Sequence, residues 1–209
     1  MNLHPRSLYD FLDALTALGL LHREGLLEVA RYGNTEQSAF FLDQTKPSYI
    51  GGILEMCNDR LYHFWGTLEE GLITGEPQNE AKYSNHNLFE ALYSEPQRLE
   101  QFLEAMIGIQ SGAFQAFAQK YDFSPYRTLC DVGGATGILS IHIAGVNPHL
   151  SCTTFDLPAV EEVAKKWIEK YGLSDRIKVQ NGDFLKIRFQ KPILLRWATS
   201  CMTGVWKAN

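Results

Sequence analysis

The chain has 209 residues, room for one large domain or two small ones. Its hydrophobic fraction of 45% and charged fraction of 21% are those of a globular protein able to bury a core. A formal net charge of −5 gives no electrostatic ground for binding nucleic acid or an anionic membrane surface.

Pro5 follows His4 at the start of a predicted helix, Arg6–Leu18, whose Leu8, Phe11, Leu12, Leu15 and Leu18 fall at helical spacing. Gly19 ends it, and two short strands are expected at Leu20–Arg23 and Leu27–Tyr32. A helix followed by such a ribbon is half of a winged helix, which is read either as a DNA reader or as a structural, dimerising module. Asp10, Asp13, Glu24 and Glu28 outnumber Arg6 and Arg23 there, which favours the structural reading. Thr35 can cap a short helix through Leu42. A longer helix, about Ser48 to Ile73, puts Ile50, Leu54, Cys57, Leu61, Phe64, Trp65 and Leu68 on one face, expected to be core. Met56, Tyr62 and Trp65 are the alternative, a pocket lining. After a polar stretch at Glu80–Asn87 and a short helical piece at Leu88–Tyr93, Pro96 opens a helix to about Lys120. Its stripe is Leu99, Phe102, Leu103, Met106, Ile109, Ala113 and Phe117, and Gly108, Ser111 and Gly112 leave room for a ligand or another backbone.

Beyond Ser124-Pro125 the pattern alternates. Strands are expected at Thr128–Val132, Ser151–Asp156 and Arg176–Gln180, with helices at Ile138–Ala144 and Pro158–Tyr171 between them. The fold class is α/β, with an N-terminal, mainly helical region and then a parallel sheet covered on both faces. In such sheets ligands bind beyond the carboxyl ends of the strands. There the sequence places the turn Asp131-Val132-Gly133-Gly134-Ala135-Thr136-Gly137, then Asp156-Leu157, then Gly182-Asp183-Phe184. Asp156 is suited to accept from the two vicinal hydroxyls of a ribose, and Asp183 from an adenine amine with Leu157 or Phe184 against the ring. The dinucleotide pattern G-x-G-x-x-G fails at Ala135 and Ile138, and the charge of Asp131 suits a cationic methionyl group better than a pyrophosphate. The expected cofactor is therefore S-adenosyl-L-methionine (SAM); the plainer alternative is a tight turn whose aspartates only cap helices. Cys57, Cys130, Cys152 and Cys201 have no metal-ligand spacing, so reduced thiols, no metal site and a cytoplasmic location are expected. No secretion signal or membrane-spanning run is evident either.

Asp131–Gly137, Phe155-Asp156-Leu157-Pro158 and Asn181–Phe184 resemble the three SAM motifs of one methyltransferase family. It comprises the hydroxyindole, caffeate and polyketide O-methyltransferases, which carry an N-terminal winged-helix dimerisation domain. Leu12–Leu21, Tyr32–Thr35 and Phe89–Pro96 extend the similarity upstream, so that it covers about residues 5 to 186. The resemblance implies a partial dimerisation region at 1–84, linking helices at 85–124 and a partial cofactor domain at 125–186. It implies cofactor contacts at Gly133, Asp156 and Asp183, with Tyr93 and Ser111 flanking cofactor or substrate. It further implies a small hydroxyl-bearing acceptor, aromatic or polyketide-like, and a homodimer for an intact chain. Ala135 departs from it, standing where a glycine is usual.

Two larger departures are expected to matter. Met1 falls inside the family's winged helix, ahead of which other helices interlock the dimer. After about Lys186 the pattern should lead to a Leu-His-Asp-Trp segment whose His is the general base, and residues 187–209 do not spell it. No catalytic residue is therefore assigned. Reading the third base of each codon with the first two of the next forces Gly at Trp197/Ala198, Asp at Met202/Thr203 and Glu at Trp206/Lys207. It allows Leu at Ser200/Cys201, His at Cys201/Met202 and Trp at Thr203/Gly204. The tail is thus expected to be a frameshifted reading, and this chain to be an O-methyltransferase by family with little turnover of its own. A SAM-binding module without catalysis and a winged-helix DNA regulator are the other function classes.

Overall fold

The computed structural model describes residues 4–83, 92–93, 95–182 and 194–197. Helix α1 (Pro5–Ala17) begins where the His4 side chain accepts from the Arg6 N–H. It leads through Gly19, which takes a left-handed φ of 75°, into the antiparallel ribbon β1 (Leu21–Glu24) and β2 (Arg31–Asn34). The second strand starts later than Leu27, because Leu27–Val29 close into a 3-10 turn. Asp13 of α1 ties helix to ribbon, accepting from Arg23 at 2.7 Å and from the Tyr32 hydroxyl at 2.7 Å. Arg23 is thereby committed within the protein, which removes one of the few cations a DNA reader would need.

Helix α2 (Glu36–Phe41) is capped by Thr35, whose hydroxyl accepts from the Ser38 N–H. The long helix expected over residues 48–73 is divided. It runs as α3 (Gly52–Met56), a π turn (Cys57–Leu61) and α4 (Tyr62–Trp65), and after Gly66 and Thr67 resumes as α5 (Leu68–Thr74). Its apolar face is not core. Ile50, Cys57, Leu61 and Phe64 are half-buried, but Leu54, Trp65 and Leu68 are 56%, 68% and 48% exposed. The spacing rightly marks one apolar face and says nothing of what covers it.

Helix α6 (Pro96–Lys120) spans both halves of the molecule. It buries Leu99, Leu103, Ala105, Phe114 and Ala118, whereas Ile109 and Phe117 face outward. Over seven turns the true buried face rotates by about one residue from the expected stripe, since 3.6 residues per turn do not follow a fixed three–four alternation. Gly108 serves helix packing: a Cβ there would lie 3.2 Å from the Cα of Ile50.

The sheet contains β3 (Thr128–Val132), β4 (Ser151–Asp156), β5 (Ile177–Asn181) and β6 (Leu194–Trp197), all parallel, in the order β5-β4-β3-β6. Helix α7 (Ile138–Val146) joins β3 to β4, and a 3-10 turn (Pro158–Val160) leads into α8 (Glu161–Lys170) before β5. The chain builds outward from β3 on one side and then returns to its other side with β6. That reversal puts the end of β3 at the topological switch point, where open α/β sheets bind ligands. The main core joins Phe114 and Ala118 of α6 to Ile138–Ala144 of α7, Leu129, Cys152, Ile168 and Ile177. Among the described residues no helix is long and apolar enough to cross a membrane.

Truncating the fully buried Ile143 to Ala should cost about 2–5 kcal/mol of unfolding free energy. Truncating Leu72, 77% exposed, should change it by no more than about 0.5 kcal/mol. Urea denaturation of the two variants beside the parent checks both.

Candidate functional site

The turn after β3, Leu157 after β4 and Gly182 after β5 lie at the carboxyl edge of the sheet. The turn after β3 reverses the chain within a few residues, with left-handed φ at Gly133 (72°), Ala135 (48°) and Gly137 (73°). Among the described residues Ala135 is the one non-glycine with positive φ. An L-residue pays roughly 1–2 kcal/mol for that conformation. It is held in place from two sides. Its N–H donates to the Asp156 carboxylate at 2.8 Å, and the residue packs on a small cluster of Leu99, Leu103, Val160 and Tyr93.

Gly134 has a different reason to be glycine. A Cβ built there would lie 2.2 Å from the Thr154 hydroxyl oxygen and 3.0 Å from the Asp131 carboxyl carbon. Turn and strand β4 therefore meet at van der Waals contact. Gly137 packs in the same layer, against Thr154 and Ile168.

Asp156 is the centre of the site. One carboxylate oxygen accepts from Ala135 N–H and the other from Leu157 N–H at 2.7 Å. Each oxygen keeps a further lone pair. Burial raises the Asp156 carboxyl above its ordinary value, against the lowering effect of those two N–H groups. Gly182, just after β5, donates its N–H to the Asp156 carbonyl at 3.0 Å, so the end of β5 is fastened to that of β4. Tyr93 closes the side. Burial raises its phenol well above the ordinary range, and the nearby charge of Asp156 adds to the effect.

The turn's own N–H groups are largely occupied. Gly133 and Gly134 donate to the Phe155 carbonyl at 2.9 and 3.3 Å, Ala135 to Asp156, and Gly137 to the Gly134 carbonyl at 2.8 Å. A pyrophosphate needs such groups free and converging on it. This turn instead offers a carboxylate with spare acceptor capacity and a half-buried apolar rim, which fits a ribose and a neutral or cationic remainder.

Of the expected residues, Gly133, Asp156, Leu157, Gly182 and Tyr93 come together around this cleft, joined by Ala135, the departure from the motif. Asp131 does not face it. Its side chain is 0% exposed and lies beneath Gly134, on the inner side of the turn. Position at a strand end cannot tell the two faces of the strand apart; the buried partner of Asp131 in the register, Thr154, does. Ser111 is also elsewhere. Its hydroxyl lies 3.4 Å from His142 Nε2, in the contact between α6 and α7. Asp183 and Phe184 lie outside the described residues. The residues that the sequence pattern missed are Leu99, Leu103 and Val160, which form the wall under Ala135.

The histidines are dispersed. His4 caps α1, His22 contacts the Asn34 carbonyl, His142 contacts Ser111 and His149 contacts the Phe123 carbonyl. None of these four reaches the cleft residues. Among the described residues no group of three or more His, Cys, Asp or Glu is placed to hold a metal ion.

A sequence profile of the O-methyltransferase domain matches residues 65–196, more than half of the chain. The match runs past Lys186 and takes in most of β6, so the family-like region is longer than the motifs alone indicate. The tetracenomycin polyketide synthesis 8-O-methyl transferase TcmO of Streptomyces glaucescens is 36% identical over 87% of this chain and 52% of its own length. The N,N-dimethyltransferase OxyT of Streptomyces rimosus is 34% identical over 87% and 52%. Human N-acetylserotonin methyltransferase, solved in complex with SAM, superposes with a TM-score of 0.74 at 27% identity, covering 88% of this chain and 53% of that one. The chain spans about half the length of the curated relatives it matches. By its matched domain and its relatives, the chain belongs to the SAM-dependent O-methyltransferase family.

Proposed function

We propose that this chain forms the nucleoside-holding half of a methyltransferase that acts on a hydroxyl of a small aromatic or polyketide-like acceptor. The observation that carries the cofactor reading is Asp156, clamped by two N–H groups at the switch point beside a turn with few N–H groups left for phosphate. Gly133 and Gly182 let the backbone come close to the ligand, Asp156 accepts from the ribose hydroxyls, and Leu157 and Tyr93 border it. When bound, SAM supplies an electrophilic methyl group. The acceptor class is drawn from the name of TcmO; the name of OxyT marks an amine as the variant to test beside it.

The remaining step, removal of the acceptor's proton, needs a base within about 3 Å of the hydroxyl. No His of residues 4–83 or 95–182 is placed for it, which supports cofactor binding with little turnover. The profile match to residue 196 and the strand Leu194–Trp197 support a frame break nearer Trp197 than Lys186. Nucleotide sequencing across codons 180–209 tests this, and a stop codon in the shifted frame before the His-Asp-Trp segment would end the idea. The N-terminal region is read as the dimerising part, on the strength of the exposed face carrying Leu54, Trp65, Leu68, Leu72 and Ile73.

Calorimetry with S-adenosylhomocysteine should give one site. Asp156→Ala should weaken it by at least about tenfold, the loss of charge-assisted hydrogen bonds, and NAD should not compete. Binding unaffected by Asp156→Ala would sink the assignment. In a radiolabelled methyl-transfer assay with phenolic and amine acceptors, turnover is expected to stay at background.

The pH dependence has two opposite signs. Asp156 has a folded pKa above its ordinary 3.8, so its contribution to folding is greatest below that value and is lost as pH rises through the folded pKa. Nucleoside affinity requires the ionised acceptor and so falls as pH drops through the same window. Titrations from pH 7 downward should show affinity failing before an ordinary aspartate would protonate.

Relief of the left-handed strain by Ala135→Gly, set against the added freedom of glycine, should stabilise the chain by about 0.5–1 kcal/mol. A rise in thermal midpoint checks it; a fall would mean that the methyl's packing outweighs the strain.

A further inference from the structure

Helix α6 turns its Leu99 and Leu103 toward the nucleoside cleft and its Gln97, Arg98 and Gln101 the opposite way. On that far side lies a cavity of about 490 Å³, bounded by the π turn and α4 on the other wall. The volume is that of a one- or two-ring ligand site. None of the cleft residues lines it.

Its floor is fixed. Arg60 donates through Nε and Nη2 to the two carboxylate oxygens of Glu80, the second at 3.2 Å, and the two side chains are only 12% and 9% exposed. Asp59 is occupied as well, accepting from Gln101 at 2.8 Å and from Asn58 at 2.9 Å. Of the two cations that line the cavity, Arg60 is held at both ends of its fork, whereas Arg98 is engaged at one nitrogen only. Arg98 meets Glu95 at 3.0 Å through Nε alone, in a pair about half exposed, and such pairs contribute little. Its terminal nitrogens have no protein acceptor among the described residues, and Gln97 beside it has no hydrogen-bonded side chain. Phe64 provides the apolar face and His63 the rim. The helix is widened at this point: Tyr62 N–H bonds the Cys57 carbonyl five residues back, a distortion that recurs in α-helices at functional sites.

We propose that this cavity is a second small-molecule site, for a planar aromatic monocarboxylate, separate from the nucleoside cleft. The carboxylate takes the fork of Arg98 with the Gln97 amide, and the ring lies on Phe64. A single negative charge matches the one lightly engaged guanidinium. A phosphate dianion would set its second charge against Asp59 and Glu80, and a neutral ring would leave the terminal nitrogens of Arg98 unused. The proposal stands apart from the SAM reading, because it uses none of the same side chains.

The test is a titration of the whole chain with 1-naphthoate at low ionic strength, followed by calorimetry and saturation-transfer NMR. Saturable binding is expected, at least about fivefold weaker in Arg98→Gln and similarly weaker for 1-naphthalenemethanol. Arg98 is an exposed residue, so that variant should keep the parent's thermal midpoint. Asp156→Asn should leave naphthoate affinity unchanged; a loss there would put the ligand in the cleft and overturn the proposal. Absence of saturation, an affinity indifferent to Arg98→Gln, or inorganic phosphate displacing naphthoate at equal concentration would overturn it as well.

Discussion

The carboxylate of Asp156 is the point on which the site turns. It ends β4, yet it takes one N–H from the β3 turn and one from its own following residue, while its carbonyl takes the N–H of Gly182 from the end of β5. The end of β4 is thus tied to the β3 turn through its side chain and to the end of β5 through its backbone. The arrangement explains the strain nearby. Ala135 stays left-handed because only that geometry aims its N–H at Asp156, and the wall of Leu99, Leu103 and Val160 keeps it there. The N-terminal half therefore does more than flank the cofactor domain: through α6 it braces the turn itself.

Much of this was legible in the residues, and the limits of legibility have physical causes. Strand β3 announced itself as a short buried run, β4 and β5 as short segments alternating with helical runs, and the turn because few residues besides glycine take three tight reversals in five positions. Asp156 and Gly182 followed from the rule that parallel sheets bind ligands at their carboxyl ends. Asp131 obeys the same rule in sequence and breaks it in space, since a carboxylate at a strand end points either outward or under the turn. Ser111 shows the same ambiguity for a helix: small polar residues permit both a ligand and a neighbouring helix, and here α7 took the space.

The N-terminal helices pose the opposite problem. Periodicity identified an apolar face over residues 50–68 correctly, but amphipathic spacing records that a face is to be covered, not by what. In this chain Leu54, Trp65 and Leu68 are open to solvent, and the chain spans about half of its relatives. The two facts agree. Among the described residues an apolar face left open to solvent is a candidate contact surface.

The sheet order carries a consequence for how the molecule is made. β3 pairs at once with β4 on one side, but its other edge waits for β6, far along the chain. As synthesis proceeds from the N-terminus, β3 spends a long interval with one of its two edges unpaired. Contacts of such long sequence separation form slowly, and an open border in the meantime invites pairing with other chains. The border that carries the β3 turn is thus outlined first and closed last, by the pairing of Leu194–Trp197 with β3.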